Sequence, residues 1–482
     1  MEIEPLPTYI HILPTEVLSL IFTTIVDASL YARLVNDRRF VQAEYPTMLA
    51  SVCRYWRSTA LNTPGIWSSI DCTRKSDKTH AFESARAIGA NYSNRLERDR
   101  SANFEHAKIY FERSQDTLLH IWMGKPVPGG KYRVALTRQW PEDIGNLIAA
   151  NASRVKSVAL SFSHPQDVED MLSVLLKNGA NQSLRNLGLQ FEPATFRQIQ
   201  ASGFGEEYNQ IFEPLDALYL YQILISPWHL ACRHLKELHI TVFPAHLAFT
   251  SISQVAQILK NNPGLRVFKL STRATIADVP TSPQPLHLPA LRRLDLYTHQ
   301  GSIMKWFLAS IIPGPREVEL SLERGGFSRL DRSDLKDAVV SFLQRAQVKM
   351  LHIVGGWILL PSILVYTPRL RRLRLTLYDI ENGSLDGIEL LRSNLADLHT
   401  IEMNECHTKG NDALDPGLRA IFTLPSVRMI RHYRCAGTSH KARQLFHKLL
   451  EGDQDITANV VEAPDLGFEL CPSLLLPPSP SD

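Results

Sequence analysis

Leu291-Arg292-Arg293-Leu294-Asp295-Leu296 is the stretch whose reading decides the fold. Its last two leucines alternate with Asp295, as in a strand with one apolar face, and Leu291 adds a third apolar anchor just ahead of it. The strict spacing Leu-x-x-Leu-x-Leu returns at Leu184-Leu187-Leu189, Leu215-Leu218-Leu220 and Leu370-Leu373-Leu375. At this leucine content about one such hit is expected by chance, so four in register mark an internal repeat.

A looser form, apolar-x-x-apolar-x-apolar, begins at Val155, Leu184, Leu215, Leu235, Leu265, Leu291, Pro315, Val348, Leu370, Leu398 and Val427. At Pro315 a proline stands for the first apolar residue. The mean interval is about 27 residues, inside the leucine-rich-repeat range. Thr117 to Trp122 is β-prone and is read as the first strand of this array. Helical stretches lie between strands. Val168 to Lys177 is stopped by Asn178-Gly179, and Ile252 to Lys260 by Asn261-Asn262-Pro263-Gly264. Strand, helix, strand at this period predicts an α/β fold: an irregular leucine-rich-repeat solenoid, or horseshoe, with a parallel sheet on its concave face. The asparagine that often follows such strands is mostly missing, so the repeats are irregular.

Residues between the leucines are expected on the concave face. The charged ones are Glu237, Lys269, Arg293, Asp295, Glu317, Glu319, Arg372, Arg374, Glu402 and Arg431, five basic and five acidic. A balanced face argues against nucleic acid, which wants a continuous basic stripe, and favours a protein partner. Tyr219, Tyr221, His239, Lys269, Arg293, Tyr297, Arg372 and Arg374 are the candidate contact residues, with Tyr433 and His352 beside them, because Tyr and Arg dominate interface hot spots. For any one of them taken alone, a solvated strand residue is the favoured reading.

Bulk properties agree. The chain of 482 residues carries net charge +3, with 44% hydrophobic and 21% charged residues, so no global field recruits nucleic acid or acidic membranes. Its six cysteines form no C-x-x-C pair, which fits a reducing compartment, cytoplasm or nucleus. The most apolar stretch, Trp357 to Tyr366, is about ten residues and broken by Pro361, too short to span a membrane. No phosphate-cradling or nucleophile-elbow motif occurs, and His229 to His234 with His239 lacks a second cluster to complete a metal site. No cofactor, metal or catalytic residue is expected, and an enzyme is the weakest reading.

The first seventy residues are different. Ile12 to Ile25 reads as a helix, with Pro14 in its first turn and Glu16 complementing its positive end. Leu13, Val17, Leu18, Leu20, Ile21, Phe22, Ile25 and Val26 cover more than one stripe of it. A second helix is signalled by Thr47 as N-cap, then Leu49, Val52, Cys53, Trp56 and Ala60. Thr63-Pro64-Gly65-Ile66-Trp67 breaks it. About sixty residues cannot bury this much apolar surface alone, so it meets the array or a partner.

The strings Leu13-Pro14-x-Glu16-Val17-Leu18-x-x-Ile21-Phe22, Val52-Cys53-Arg54-x-Trp56-Arg57 and Thr63-Pro64-x-Ile66-Trp67-Ser68-x-Ile70 resemble an F-box, in the F-box-like form common in mushroom-forming fungi. The stretch Asp27 to Glu44 departs from that pattern by its length and is read as a polar loop or helix extension. The resemblance implies a substrate-recognition adaptor of a ubiquitin ligase, docked on the Skp-type adaptor of a cullin–RING assembly. Leu13, Pro14, Val17, Leu18, Ile21, Phe22, Val52 and Trp56 would carry that contact or the packing behind it; sequence does not divide them between the two roles. The alternative is a non-ligase interaction scaffold in which these helices cap the solenoid. The expected organisation is therefore an F-box-like helical domain (10–72), a linker with a capping helix over Phe104 to Arg113 (73–116), the array (117–450) and a Pro/Ser-rich, flexible tail (451–482).

Overall fold

The computed structural model describes residues 13–35, 45–72, 104–124, 142–162, 165–191, 208–221, 231–242, 252–272, 279–324, 332–355, 360–376, 379–381, 388–391, 393–404, 406–409, 421–422, 424–433, 436–437 and 459–462. The chain forms two compact units, Met1–Ala231 and Cys232–Asp482.

The first unit opens with three helices, α1 (Thr15–Val35), α2 (Tyr45–Ser51) and α3 (Arg54–Leu61). The carbonyl of Pro14 accepts the first bond of α1 from Leu18 N (3.1 Å), and Glu16 lies in its first turn. α1 runs on through Val35, so the departure from the F-box pattern begins as a helix extension; residues 36–44 lie outside the described residues. The single helix expected from Thr47 is two. It breaks at Val52-Cys53, where Cys53 takes an extended backbone (φ −157°, ψ 174°) and its Sγ accepts from Trp56 N at 3.4 Å, starting α3. Thr47 lies inside α2 and is not the cap.

Five strands follow: β1 (Ser69–Asp71), β2 (Leu119–Gly124), β3 (Val155–Phe162), β4 (Asn186–Phe191) and β5 (Ala217–Tyr221). They pair in chain order, all parallel, with Ile70 opposite Ile121, Val158 opposite Leu187, and Leu187 opposite Leu218. The sheet therefore starts at β1, before the strand expected at Thr117 to Trp122 and within the stretch read as purely helical. The expected helix over 104–113 is present. Helix Pro165–Lys177 ends where Gly179 takes φ +82°, a left-handed conformation that side chains resist.

The second unit holds β6 (Glu237–Val242), β7 (Val267–Thr272), β8 (Leu286–Leu288), β9 (Arg293–Thr298), β10 (Ile311–Pro313), β11 (Glu317–Arg324), β12 (Gln347–Val354), β13 (Arg372–Thr376), β14 (Asp379–Glu381), β15 (Thr400–Asn404), β16 (His407–Lys409), β17 (Met429–Tyr433), β18 (Ala436–Gly437) and β19 (Asn459–Glu462). The main sheet runs β6-β7-β9-β11-β12-β13-β15-β17-β19, while β8 pairs β10 and β14-β16-β18 form small parallel sheets of their own. Helices Ile252–Asn261, Gly301–Ser310, Arg332–Arg345 and Leu360–Leu364 fall between strands. The α/β fold class and the parallel sheet of the sequence reading are thus present.

The leucine positions stack as the repeat requires. Leu238, Phe268, Leu294, Leu320, Leu351, Leu373, Ile401 and Ile430 line up in register and are all buried. Burying each such side chain contributes about 1.5–3 kcal/mol, and this row is the spine of the core. Two details differ from the sequence. In β11 the residues opposite Leu294 and Leu296 are Leu320 and Leu322, so the motif read from Pro315 sits two residues early. A register shift after Val318, where β12 carries an extra residue at Lys349, hides this from a fixed spacing. At the far end β19 lies inside the stretch read as a tail: Val460 sits opposite Ile430, and a β-branched pair suffices to extend the sheet. Residues beyond 462 lie outside the described residues.

The missing asparagine row has a partial substitute. Asn262, fully buried, accepts from Leu235 N (2.8 Å) and donates to the carbonyls of Cys232 and Ile258 (both 2.8 Å), tying one turn to the previous one.

Candidate functional site

Two surfaces gather the residues singled out by sequence. The first is the helical end. On α1, Leu18, Phe22 and Val26 recur at intervals of four and are buried, and the ring of Phe22 lies 4.9 Å from that of Trp56. The stripe flanking it is exposed: Val17, Leu20 (67% exposed), Ile21 (39%) and Ile25. Met48 of α2 and Val52 (60%) are exposed as well. The structure therefore makes the division that sequence could not. Leu18, Phe22 and part-buried Trp56 are packing residues, Val17, Ile21 and Val52 are available for contact, and Leu20, Ile25 and Met48 join them. Leu13 is part-buried, with its carbonyl accepting from Tyr55 Oη at 2.6 Å, and Pro14 is exposed. Trp67 is fully buried; its indole N–H donates to Ala60 O (2.8 Å), its ring meets Tyr110 edge-on at 5.1 Å, and the Arg113 guanidinium stacks over it at 4.4 Å. The helical end is thus built onto the sheet it precedes, through β1 and Trp67.

The second surface is the side of the sheets away from the leucine spine. In the second unit a polar row crosses eight neighbouring strands: His239, Lys269, Asp295, Ser321, His352, Arg374, Glu402 and Arg431. Asp295 is buried and accepts from Arg293 through Nε (2.9 Å) and Nη2 (2.9 Å). Lys269 stands over the ring of Tyr297 at 5.8 Å, a distance at which the ring quadrupole attracts it. His352, buried, shares a 3.0 Å hydrogen bond with Thr376 Oγ1. Burial, then the nearby Arg374 and Arg293, holds its pKa well below the usual value, so it is neutral. Burial with Lys269 and Arg293 does the same to His239. Asn404, one rung beyond Glu402, keeps both amide atoms buried without a hydrogen-bond partner among the described residues.

The candidate contact residues therefore fall into three places. His239, Lys269, Arg293 and Tyr297 come together on β6–β9, and Arg372 and Arg374 meet Glu402 and Arg431 on β13–β17. Tyr219 and Tyr221 lie on β5 of the first unit, both half-buried. The side chain of Tyr433 lies outside the described residues. Sequence reasoning missed Glu323, which shares a rung with Tyr297 and is buried. It adds a sixth acid to the five acids and five bases read from sequence, and the two-residue slip at Pro315 is what concealed it.

The corresponding face of the first unit has another character. Its rungs read His120-Ser157-Asn186-Ala217 and Trp122-Ala159-Gly188-Tyr219, with Asp71 at the β1 edge and Lys156 at an irregular step beside His120. His120 Nδ1 and Ser157 Oγ are 3.0 Å apart, and Asn186 Nδ2 donates to the same hydroxyl (2.8 Å). Burial, with Lys156 adding, lowers the His120 pKa to about 4. A neutral histidine and a hydroxyl that already serves Asn186 form a structural network.

Among the described residues no three His, Cys, Asp or Glu side chains are placed to hold a metal, and no helix is long and apolar enough to cross a membrane. His229 lies outside the described residues, and Cys232 is buried, its thiol pushed up to about 12. No family model matches the chain, and no curated protein does. A crystal structure of a Bacteroides fragilis protein is similar over 58% of this chain, at 11% identity and a TM-score of 0.28, a level that carries no argument about fold or function. The match spans 66% of that protein's length.

Proposed function

We propose that this protein is the substrate-recognition adaptor of a Skp–cullin–F-box ubiquitin ligase. α1–α3 dock on the Skp-type adaptor, and the leucine-rich-repeat solenoid offers its concave face to a protein substrate. The observation that carries this reading is the exposed apolar stripe of α1, Val17, Leu20, Ile21 and Ile25, with Met48 and Val52 exposed besides, on a helix whose Leu18, Phe22 and Val26 are already packed. Such a stripe exposed to water is costly unless covered, and an apolar stripe at helical spacing fits a groove between partner helices. The first two F-box-like strings fall on or beside these helices, and the third runs through the turn at Pro64–Trp67 into β1.

The stripe also supplies the test. Leu20→Glu with Ile21→Glu changes two exposed side chains and leaves Phe22 and Trp56 in place. Co-purification with a Skp-type adaptor, lost in this variant at unchanged melting temperature, supports the proposal. Binding retained in the variant, or absent in the unaltered protein, counts against it.

A second reading is an interaction scaffold without a ligase, in which the helices cap the array. It is favoured by the pairing of β1 with β2 and by the seat of Trp67 on Tyr110. Truncation near residue 75 does not separate the readings, because it strips both from the sheet; the surface variant does.

A further inference from the structure

Glu402 is buried, yet three guanidinium groups share its carboxylate. Arg374 takes Oε2 with Nε at 2.6 Å and Nη2 at 2.5 Å. Arg431 Nη1 is 3.4 Å and Arg372 Nε 3.8 Å from the other oxygen, Oε1. Among the described residues one negative charge faces three positive ones; Arg374 takes Oε2 at the shortest distances, and the surplus falls to the two guanidinium groups that share Oε1. Acids nearby are already engaged: Asp295 by Arg293 (2.9 Å), Glu319 by Lys349 (3.4 Å) and Glu317 by Arg371 (3.0 Å). His352, neutral, adds no charge to the surplus. The surplus sits on Arg372 and Arg431, whose side chains are 46% and 40% exposed. Arg372 has no other polar contact among the described residues, and Arg431 adds only Met429 Sδ at 3.1 Å. Most of their N–H donors therefore point to water.

The rung beside this one reads Met350-Arg372-Thr400-Met429, so apolar thioethers flank the two half-exposed guanidinium groups. We propose that the β13–β15–β17 face binds an extended acidic peptide segment, one of whose carboxylates is gripped between Arg372 and Arg431. Planar forks match a carboxylate through paired N–H bonds, and the apolar flanks accept the stem of a glutamate. Nucleic acid does not fit, since the rest of the face is balanced or acidic. This names the class of substrate for the receptor reading and rests on it only for the use made of the peptide, because binding here needs no ligase.

The test uses the full-length protein and a fluorescein-labelled decapeptide of alternating glutamate and serine, read by fluorescence anisotropy. Binding that weakens as salt rises, falls at least tenfold in Arg372→Gln with Arg431→Gln, and persists in Arg371→Gln supports the proposal. Both substituted arginines are about half exposed, so folding is kept; a matched melting curve verifies this, and the single variants stand in should the pair melt early. No binding at millimolar peptide, equal binding of the glutamine or lysine counterpart, or indifference to both arginines overturns it. So does a phosphoserine peptide that binds more than a hundredfold tighter, which would make phosphate the true ligand. Loss of Skp-adaptor binding with peptide binding intact removes the receptor reading alone, and the reverse removes this one alone.

Discussion

The two units put the same strand-and-helix plan to different use on the face away from the core. In the first, the rungs hold Ser, Asn, Ala and Gly beside Trp122 and Tyr219, and among the described residues of these rungs formal charge appears at Asp71 and Lys156. In the second, ionisable side chains cross eight strands, and carboxylates are buried beneath arginines. The spine behind both faces is equally apolar, so the fold is indifferent to the choice. What differs is the energetic risk. A small neutral rung loses little if one member is removed, whereas a buried carboxylate and its arginines stand or fall together.

The largest expected effect comes from breaking that group. Glu402→Ala removes the buried carboxylate that Arg374, Arg431 and Arg372 share and should cost about 3–5 kcal/mol in urea unfolding. Ser157→Ala, its counterpart on the neutral face, should cost about 1 kcal/mol. Equal losses would erase the distinction between the faces.

Acid should separate the units next. For His120 the folded pKa of about 4 lies below the ordinary 6.5, so the unfolded chain takes up a proton first as pH falls. Stability is complete above pH 6.5, declines between there and about 4, and is flat below for this group, for a total of about 3 kcal/mol. His239 and His352 have shifts of the same sign, so among the described residues the second unit carries two such groups and the first carries one. His239→Gln with His352→Gln should flatten the pH dependence of unfolding more than His120→Gln does.

Two glycines give the smaller contrasts. At Gly314 an added methyl group would meet the backbone of Pro289, with Cα at 2.8 Å, so Gly314→Ala should cost about 1–3 kcal/mol by forcing the chain apart. At Gly188, on the neutral face, the same methyl group would stand 3.4 Å from Ala159 Cβ in ordinary contact. Gly188→Ala should change stability by less than about 1 kcal/mol, and in the stabilising direction, because a strand glycine is entropically costly. Differential scanning calorimetry of the pair reads both.

Much of the fold was legible because the leucine spacing encodes which side chains face the helices, and burial enforces it at every strand. Leu294 and Leu373 could be placed from sequence alone. Where the motif is carried by fewer leucines the reading slipped. The proline at 315 mimicked an apolar anchor, and the extra residue at Lys349 broke the spacing that would have exposed the slip. β1 and β19 were missed because they are short and lie in segments dominated by other signals, an F-box-like string and a Pro/Ser-rich end. The exposed stripe of α1 was legible as excess apolar surface, but its division from Leu18 and Phe22 depends on where α2 and α3 lie. The charge cluster around Glu402 was legible residue by residue, though not as a cluster. Only the register shows that Arg374, Glu402 and Arg431 share one rung while Arg372 reaches in from the next.

Strand order in each unit follows the order of the chain, every main-sheet strand lying beside the one made just before it. A nascent chain leaving the ribosome therefore never waits for a distant segment: each strand emerges to find its neighbour already laid down. Assembly can keep pace with synthesis, and a chain stalled partway still presents a properly paired sheet up to its last completed repeat.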